Sequence, residues 1–292
     1  MVPLPLLLIV LLASVAAAIF AVRWVIELPL APLDRPQSAV ATESFDFDDQ
    51  RSAADASGAS GQPRPRSLLL PALLVLFLNV GNAIGAFVLK QPSDLPIDAV
   101  RGQLYGGLVV STALGCVFGV AALLCGLPPK PQPPRTGRAI AFGIASGLAA
   151  VGPSLFLGMI SSAFGADAEH SLIRLLRLSG TAELWALVAL TAVIAAPLLE
   201  ELEFRVIAQT ELSRRAGLAI GITATVLLFA VVHGPAVGVS VLPLGIAAAL
   251  VWSRTHSYLA AVAAHATFNL TMLMLLATTV AFGPDTAGAG LG

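Results

Sequence analysis

The stretch AAPLLEELEFR, residues 195–205, is the part of the chain on which the interpretation of the rest depends. It closes an apolar run, 184–199, that is otherwise fit to cross a bilayer, and it then places Glu200, Glu201, Glu203 and Arg205 close together. Ionised side chains are costly at membrane depth, so they are rare there and usually functional. The alternative is that the helix ends at residue 199 and the acids lie in water, but two further polar helices downstream favour burial.

The composition of the chain predicts a membrane protein. Of 292 residues, 57% are hydrophobic and only 11% are charged, whereas a soluble domain carries roughly 25% charged residues. Several apolar runs approach the length that crosses a bilayer as a helix. We therefore expect an all-α, polytopic transmembrane helix bundle with lipid around it. The net charge of −1 gives no excess of positive charge for binding phosphates, so nucleic acid is not an expected partner.

About eight membrane spans are predicted, and the first is interpreted as a retained span because no positively charged region precedes it. Three of the spans carry two glycines at the four-residue spacing that lets helix backbones approach closely. The spans are 3–22, 68–89, 104–127, 139–163, 183–210, 218–234, 238–253 and 257–282. The glycine pairs are Gly81/Gly85, Gly115/Gly119 and Gly143/Gly147.

Changes in composition divide the chain into three parts. Residues 1–67 combine the first span with an acidic loop, 31–67, whose many Pro, Ser, Ala and Gly residues predict disorder. Residues 68–135 are interpreted as additional transmembrane helices, and residues 136–292 as the functional core. His170 and His256 lie in loops and are predicted to be solvated.

The basic residues predict the orientation in the membrane. With the N-terminus outside, the cytoplasmic loops hold eleven Lys and Arg residues and the outer loops hold four. Because cytoplasmic loops are enriched in Lys and Arg, this difference predicts that both termini lie outside. The high Ala, Gly and Leu content is typical of a bacterial protein, so we expect the bacterial inner membrane.

The fifth and sixth predicted spans carry polar residues at helical spacing. Glu201 and Arg205 are four residues apart and can pair, while Glu200 points about 100° away from Glu201 and is left for another partner. His233 follows Phe229 by one turn on the same face. A lone histidine on an apolar helix is more often a core residue than a catalyst. His233 is therefore a candidate catalytic residue only together with the polar residues of the other helices.

The eighth predicted span supplies the other polar pair. His265 and Asn269 are four residues apart and lie on one face of the helix. Counting about 1.5 Å per residue from the cytoplasmic helix ends places Glu200, His233, His265 and Asn269 in one layer about 10 Å thick. This agreement in depth predicts a shared polar cavity.

The three motifs together resemble those of the CPBP family of intramembrane proteases, the CAAX-processing and bacteriocin-processing group also called Abi-type. The resemblance covers roughly residues 139–282. Two positions depart from the family pattern: Glu203 stands where an apolar residue is usual, and Val206 where a small glycine is common. The motifs are Glu200-Glu201-x-x-x-Arg205, Phe229-x-x-x-His233 and His265-x-x-x-Asn269.

The resemblance implies an intramembrane endopeptidase that cuts membrane-anchored, CAAX-like or leader-type proteins or peptides. It implies that Glu200 is the general base for a water shared with His233, and that Asn269, assisted by His265, stabilises the oxyanion. The residues that would support the site are Glu201, Arg205 and Phe229.

The residues leave two questions open. Glu200, His233 and His265 are an acceptable zinc set, but the H-E-x-x-H motif is absent, so a metal-free glutamate mechanism and a metalloprotease both stand. A non-catalytic membrane scaffold or immunity-type binding protein of the same fold is the alternative to an enzyme. An ion-coupled transporter is disfavoured because no broken-helix pair recurs in two halves of the chain.

Overall fold

The computed structural model describes residues 69–88, 97–124, 136–164, 176 and 181–282. These residues form seven long helices and no strand. Helices are expected here, because a segment in lipid must satisfy its backbone hydrogen bonds internally. The helices are α1 (Leu69–Val88), α2 (Ile97–Leu124), α3 (Thr136–Ala163), α4 (Ala182–Ala216), α5 (Leu218–Val232), α6 (Gly234–Thr255) and α7 (Tyr258–Phe282).

Seven of the eight predicted spans correspond to these helices, and the first, 3–22, lies outside the described residues. Five helices are long and apolar enough to cross a membrane, whereas the apolar parts of α1 and α5 are shorter. The protein is therefore an integral membrane protein with an all-helical described part. Helix α4 contains Arg205, as the predicted span 183–210 requires, and runs six residues further, to Ala216.

Helix α4 is the centre of the bundle. Every residue of its stretch Leu202–Gln209 is buried, and this stretch contacts α1, α2, α5, α6 and α7. The helix begins at Thr181, whose hydroxyl accepts a hydrogen bond from the Leu184 N–H at 3.3 Å. It ends before Gly217, which has a φ of +91°. Surrounding a charged helix with other helices keeps its ionised groups away from lipid.

Two stretches of α4, Leu190–Ala195 and Leu202–Gln209, are π-helical, with backbone bonds that close one residue wider than in an α-helix. The α-helical turn between them carries Pro197, Glu200 and Glu201. A proline inside an α-helix clashes with the carbonyl four residues earlier, and a wider turn relieves that clash. Such wide turns are frequent at functional sites.

The glycine pairs behave differently from one another. A Cβ added at Gly143 or Gly147 would lie 2.1 Å from the backbone oxygen of Ala260 or Ala264, so α3 and α7 are in backbone contact there. A Cβ at Gly119 would meet no atom within 4 Å, and one at Gly115 only the Leu199 side chain at 4.0 Å, so the α2 pair makes no backbone contact within the described residues. The surroundings of Gly81 and Gly85 lie outside the part of the chain whose side chains the structure describes.

Two tight turns connect the last three helices. Gly234, with a φ of +80°, follows His233 directly and lets the chain reverse into α6. His256 adopts the left-handed conformation at the end of α6, with its ring 5.8 Å from that of Trp252. His256 lies in a turn, as predicted, but it is half-buried, and this burial lowers the pKa of its imidazole. His170 lies outside the described residues.

Candidate functional site

Glu200 lies between two histidines from different helices. Its Oε2 atom is 3.9 Å from Nε2 of His233 and 3.9 Å from Nε2 of His265. These distances are too long for direct hydrogen bonds. The Glu200 side chain is 24% exposed, yet its Oε2 atom is buried without a hydrogen-bond partner in the described protein. A buried carboxylate oxygen without a partner is unusual, and it leaves Glu200 an acceptor for a hydrogen bond at the site.

The position of His233 is fixed by the end of α5. Its Nδ1 atom lies 2.7 Å from the Phe229 carbonyl oxygen, one turn earlier. Because a carbonyl oxygen can only accept, Nδ1 must carry the hydrogen. In the neutral ring the Nε2 lone pair therefore faces Glu200. The His233 side chain is 27% exposed, so this part of the site is open.

His265 is held by a buried ion pair that originates on α4. Its Nδ1 atom lies 2.8 Å from Oε1 of Glu201, and the Arg205 Nε donates to Oε2 of the same carboxylate at 3.1 Å. Glu201 and Arg205 are fully buried and His265 nearly so. The i,i+4 spacing predicts the Glu201–Arg205 pair, but it gives no sign of the contact with His265, which lies 64 residues away. The Glu201 carboxylate thus pairs with Arg205 through Nε, which reduces the cost of burying both charges, while Nη1 and Nη2 of Arg205 have no hydrogen-bond partner among the described residues.

The Phe229 side chain packs against both histidines of the site. Its buried ring lies 4.5 Å from the His233 ring, 5.7 Å from the His265 ring and 5.3 Å from the Phe204 ring, between centroids. The Arg205 guanidinium lies 5.4 Å from the same centroid, within the range of a cation–π interaction. The Phe229 ring therefore contacts both histidines and the Arg205 side chain that pairs with Glu201.

Asn269 lies one turn beyond His265 on α7. Its side-chain nitrogen donates to the Ala192 backbone oxygen at 2.7 Å. Because that oxygen only accepts, the amide nitrogen rather than the amide oxygen must face it. An amide nitrogen has two hydrogens, so one remains for another acceptor. The structure thus brings Glu200, His233 and His265 together and anchors Asn269 on the preceding wide turn of α4.

The three predicted zinc ligands do not form a metal site as they are placed. Ligand atoms about 2.1 Å from a tetrahedral zinc lie about 3.4 Å apart, whereas both histidine Nε2 atoms are 3.9 Å from the Glu200 oxygen. Among the described residues, no group of three or more His, Cys, Asp or Glu side chains is arranged to hold a metal ion. We therefore derive no catalytic step through zinc.

Glu203, which departs from the family pattern, faces helix α1. Its Oε2 atom accepts a hydrogen bond from the Asn79 side-chain nitrogen at 3.1 Å, and Asn79 also donates to the Val75 backbone oxygen. Glu203 is only 4% exposed. The Glu203 carboxylate therefore links α4 to α1, a helix that precedes the predicted core. In the sequence, the polar Asn79 within an apolar run indicates a hydrogen bond to another helix.

We expect Asn79 and Glu203 to be energetically coupled. Asn79→Leu leaves the Glu203 carboxylate buried without its partner, whereas the double variant with Glu203→Leu replaces both groups by apolar ones. Interhelical hydrogen bonds in membranes contribute about 0.6 to 1.7 kcal/mol. Reversible unfolding of the four proteins in mixed micelles should give a coupling free energy in this range. Additive effects of the two single variants would contradict the contact.

Residues 182–271, just under a third of the chain, match the family model described as type II CAAX prenyl endopeptidase Rce1-like. The matched segment contains all three motifs and runs from the first residue of α4 into the middle of α7. The chain matches no curated protein and no solved structure. The family match confirms the resemblance that the motifs predict.

Proposed function

We propose that this relative of the type II CAAX prenyl endopeptidases hydrolyses a peptide bond of a membrane-anchored substrate with Glu200 as the general base. The observation that supports the proposal is the single Glu200 oxygen lying 3.9 Å from two imidazole nitrogens. A water hydrogen-bonded at about 2.8 Å to that oxygen and to Nε2 of His233 fits between two atoms so separated. Such a water is oriented by one group and deprotonated by the other.

The proposed reaction has two steps. The water oxygen attacks the carbonyl carbon of the substrate while its proton passes to the Glu200 carboxylate, giving a tetrahedral oxyanion. When the C–N bond breaks, Glu200 returns the proton to the leaving amine nitrogen, so that a carboxylic acid and an amine are released. Positioned acid–base groups of this kind contribute about 10²- to 10⁴-fold to a rate.

Asn269 and His265 are proposed to stabilise the oxyanion. The hydrogen of Asn269 that is not bound to Ala192 is available as a neutral donor. His265 can donate from Nε2 only as the imidazolium, and the Glu201 carboxylate at 2.8 Å is placed to balance that charge. Preorganised donors of this type act strongly because they lie in a site with little water.

The proposed substrate is a CAAX-like or leader-type protein or peptide that reaches the site from the bilayer. We propose that the site faces the cytoplasm and both termini lie outside, because of the distribution of Lys and Arg in the loops. The high Ala, Gly and Leu content supports a bacterial inner membrane. Within this scheme residues 136–292 are the protease core, residues 68–135 are additional helices, and residues 1–67 are an anchor and an acidic loop.

Cleavage by purified protein in liposomes tests the proposed function. A farnesylated peptide that ends in a CAAX sequence and a hydrophobic leader peptide are incubated with the protein, and the products are identified by mass spectrometry. We expect endoproteolytic cleavage of at least one of the two at a single bond. If neither peptide is cut while the protein is folded, the proposal of a protease fails and the scaffold alternative is favoured.

Removing metal ions tests the glutamate mechanism separately. Because the predicted zinc ligands are not arranged as a metal site, we expect full activity in a strong chelator. Elemental analysis of the same active sample should find less than one zinc per protein. Loss of activity in chelator that zinc alone restores would show that a metal takes part, while leaving the protease activity itself established.

A further inference from the structure

Helix α4 contains a backbone carbonyl that has lost its usual helical donors. The Ala196 N–H, which would bond to Ala192 in an α-helix, bonds instead to the Thr191 oxygen in the wide turn. In this wider register the next donor to the Ala192 oxygen would be the N–H of residue 197. Residue 197 is proline, which has no N–H.

The Ala192 oxygen is the acceptor that holds Asn269. A backbone oxygen in a membrane-spanning helix needs a partner within the protein, and the Asn269 side-chain nitrogen lies 2.7 Å from the Ala192 oxygen. This contact fixes which end of the amide faces the helix, and so which end is left for a ligand. We infer that Pro197 is a positioning residue for Asn269, acting through the main-chain carbonyl of Ala192.

The inference rests on the proposed function, in which Asn269 donates to the oxyanion. Pro197 itself is buried and makes no proposed contact with substrate. Its effect would be to keep an N–H away from the Ala192 oxygen, so that Asn269 has no competitor for it. Pro197→Ala supplies that N–H, adds a backbone hydrogen bond to the helix and loosens the side chain of Asn269.

We expect Pro197→Ala to lower kcat about tenfold, because removing an oxyanion donor costs about 10²- to 10³-fold and loosening one costs less. The KM should be unchanged, and the thermal unfolding temperature should not fall. This combination separates a positioning role from a structural one, since a merely structural proline would change stability first. Pro153→Ala is the matched control, because Pro153 also lies inside a helix but is exposed on α3.

A double-mutant cycle decides whether Pro197 acts through Asn269. In the Asn269→Ala background, Pro197→Ala should have no further effect on kcat. An equal loss of kcat in both backgrounds, or no loss in either, would overturn the inference. If Asn269→Ala alone retained the wild-type kcat, the proposed role of Asn269 would fail instead, so the two failures are distinguishable.

The same cycle can be measured without turnover. Asn269→Ala removes a hydrogen bond from the wild-type protein, so it should lower the unfolding temperature more in that background than in Pro197→Ala. Equal shifts in the two backgrounds would contradict the inference even if the double variant is too slow to assay. Pro197→Ser supplies the same N–H and replaces Pro197→Ala if that variant folds poorly.

Discussion

Replacing Glu200 with Gln is expected to lower kcat by about 10³-fold, because a general base contributes about 10²- to 10⁴-fold to a rate. Glutamine keeps the size of the side chain and can still bind a water, but it cannot take a proton from it. The protein should remain folded, since the Glu200 carboxylate makes no hydrogen bond that the described structure depends on. The measurement is single-turnover cleavage in liposomes, with unfolding temperature as the check on folding.

The matched control for Glu200→Gln is Glu183→Gln. Glu183 is an exposed acid in the first turn of the same helix α4, and its Oε1 atom lies 3.5 Å from the Tyr105 hydroxyl. The same chemical change there should leave kcat unchanged. A Glu200→Gln protein that cuts at the wild-type rate would contradict the assignment of Glu200, and equal losses in both variants would point to a general effect of charge.

Replacing Gly147 with Ala is expected to lower the free energy of unfolding by about 3 kcal/mol, the upper part of the range for overpacking. The added Cβ would lie 2.1 Å from the Ala264 backbone oxygen, and a backbone atom cannot move aside as a flexible side chain can. Helices α3 and α7 must therefore separate. His265 follows Ala264 directly, so we also expect the variant to lose activity.

Gly119→Ala in α2 is the matched control for Gly147→Ala. Gly119 belongs to the same type of glycine pair, but its added Cβ meets no atom within 4 Å. The substitution should be neutral or stabilise the protein by about 0.5 to 1 kcal/mol, because alanine favours a helix over glycine. Both proteins would be unfolded with denaturant in mixed micelles. Equal stability of the two variants would be inconsistent with the α3–α7 contact.

The positions of the helices could be predicted from the sequence because a segment that crosses a bilayer must be a helix or part of a closed barrel, and continuous apolar runs near 20 residues have the length of helices. The Glu201–Arg205 pair could also be predicted, since side chains four residues apart lie on the same face of a helix. Both predictions depend only on residues that are close together in the sequence. The resemblance to CAAX-type proteases likewise depends on short motifs within single helices.

The contacts between helices could not be predicted in the same way. The Asn79–Glu203 bond joins residues 124 positions apart, and the Glu201–His265 bond joins residues 64 positions apart. Such contacts depend on how far each helix is rotated about its axis, which is set by packing of small residues along the whole interface. The glycine pairs in α2 and α3 have the same four-residue spacing, but only the pair in α3 faces the backbone of another helix.

The wide turn before Pro197 has a consequence for insertions and deletions in the chain. Each residue of a helix turns the following side chains by about 100°. Removing one residue from Leu190–Ala195 would let the segment close as an ordinary helix with little rotation of Glu200, because six residues in the wide turn cover about the same angle as five in an α-helix. A single-codon deletion there should therefore be tolerated better than one in the α-helical turn Ala196–Glu201 ahead of Glu200, which would turn the Glu200 carboxylate by about 100° relative to Leu190–Ala195.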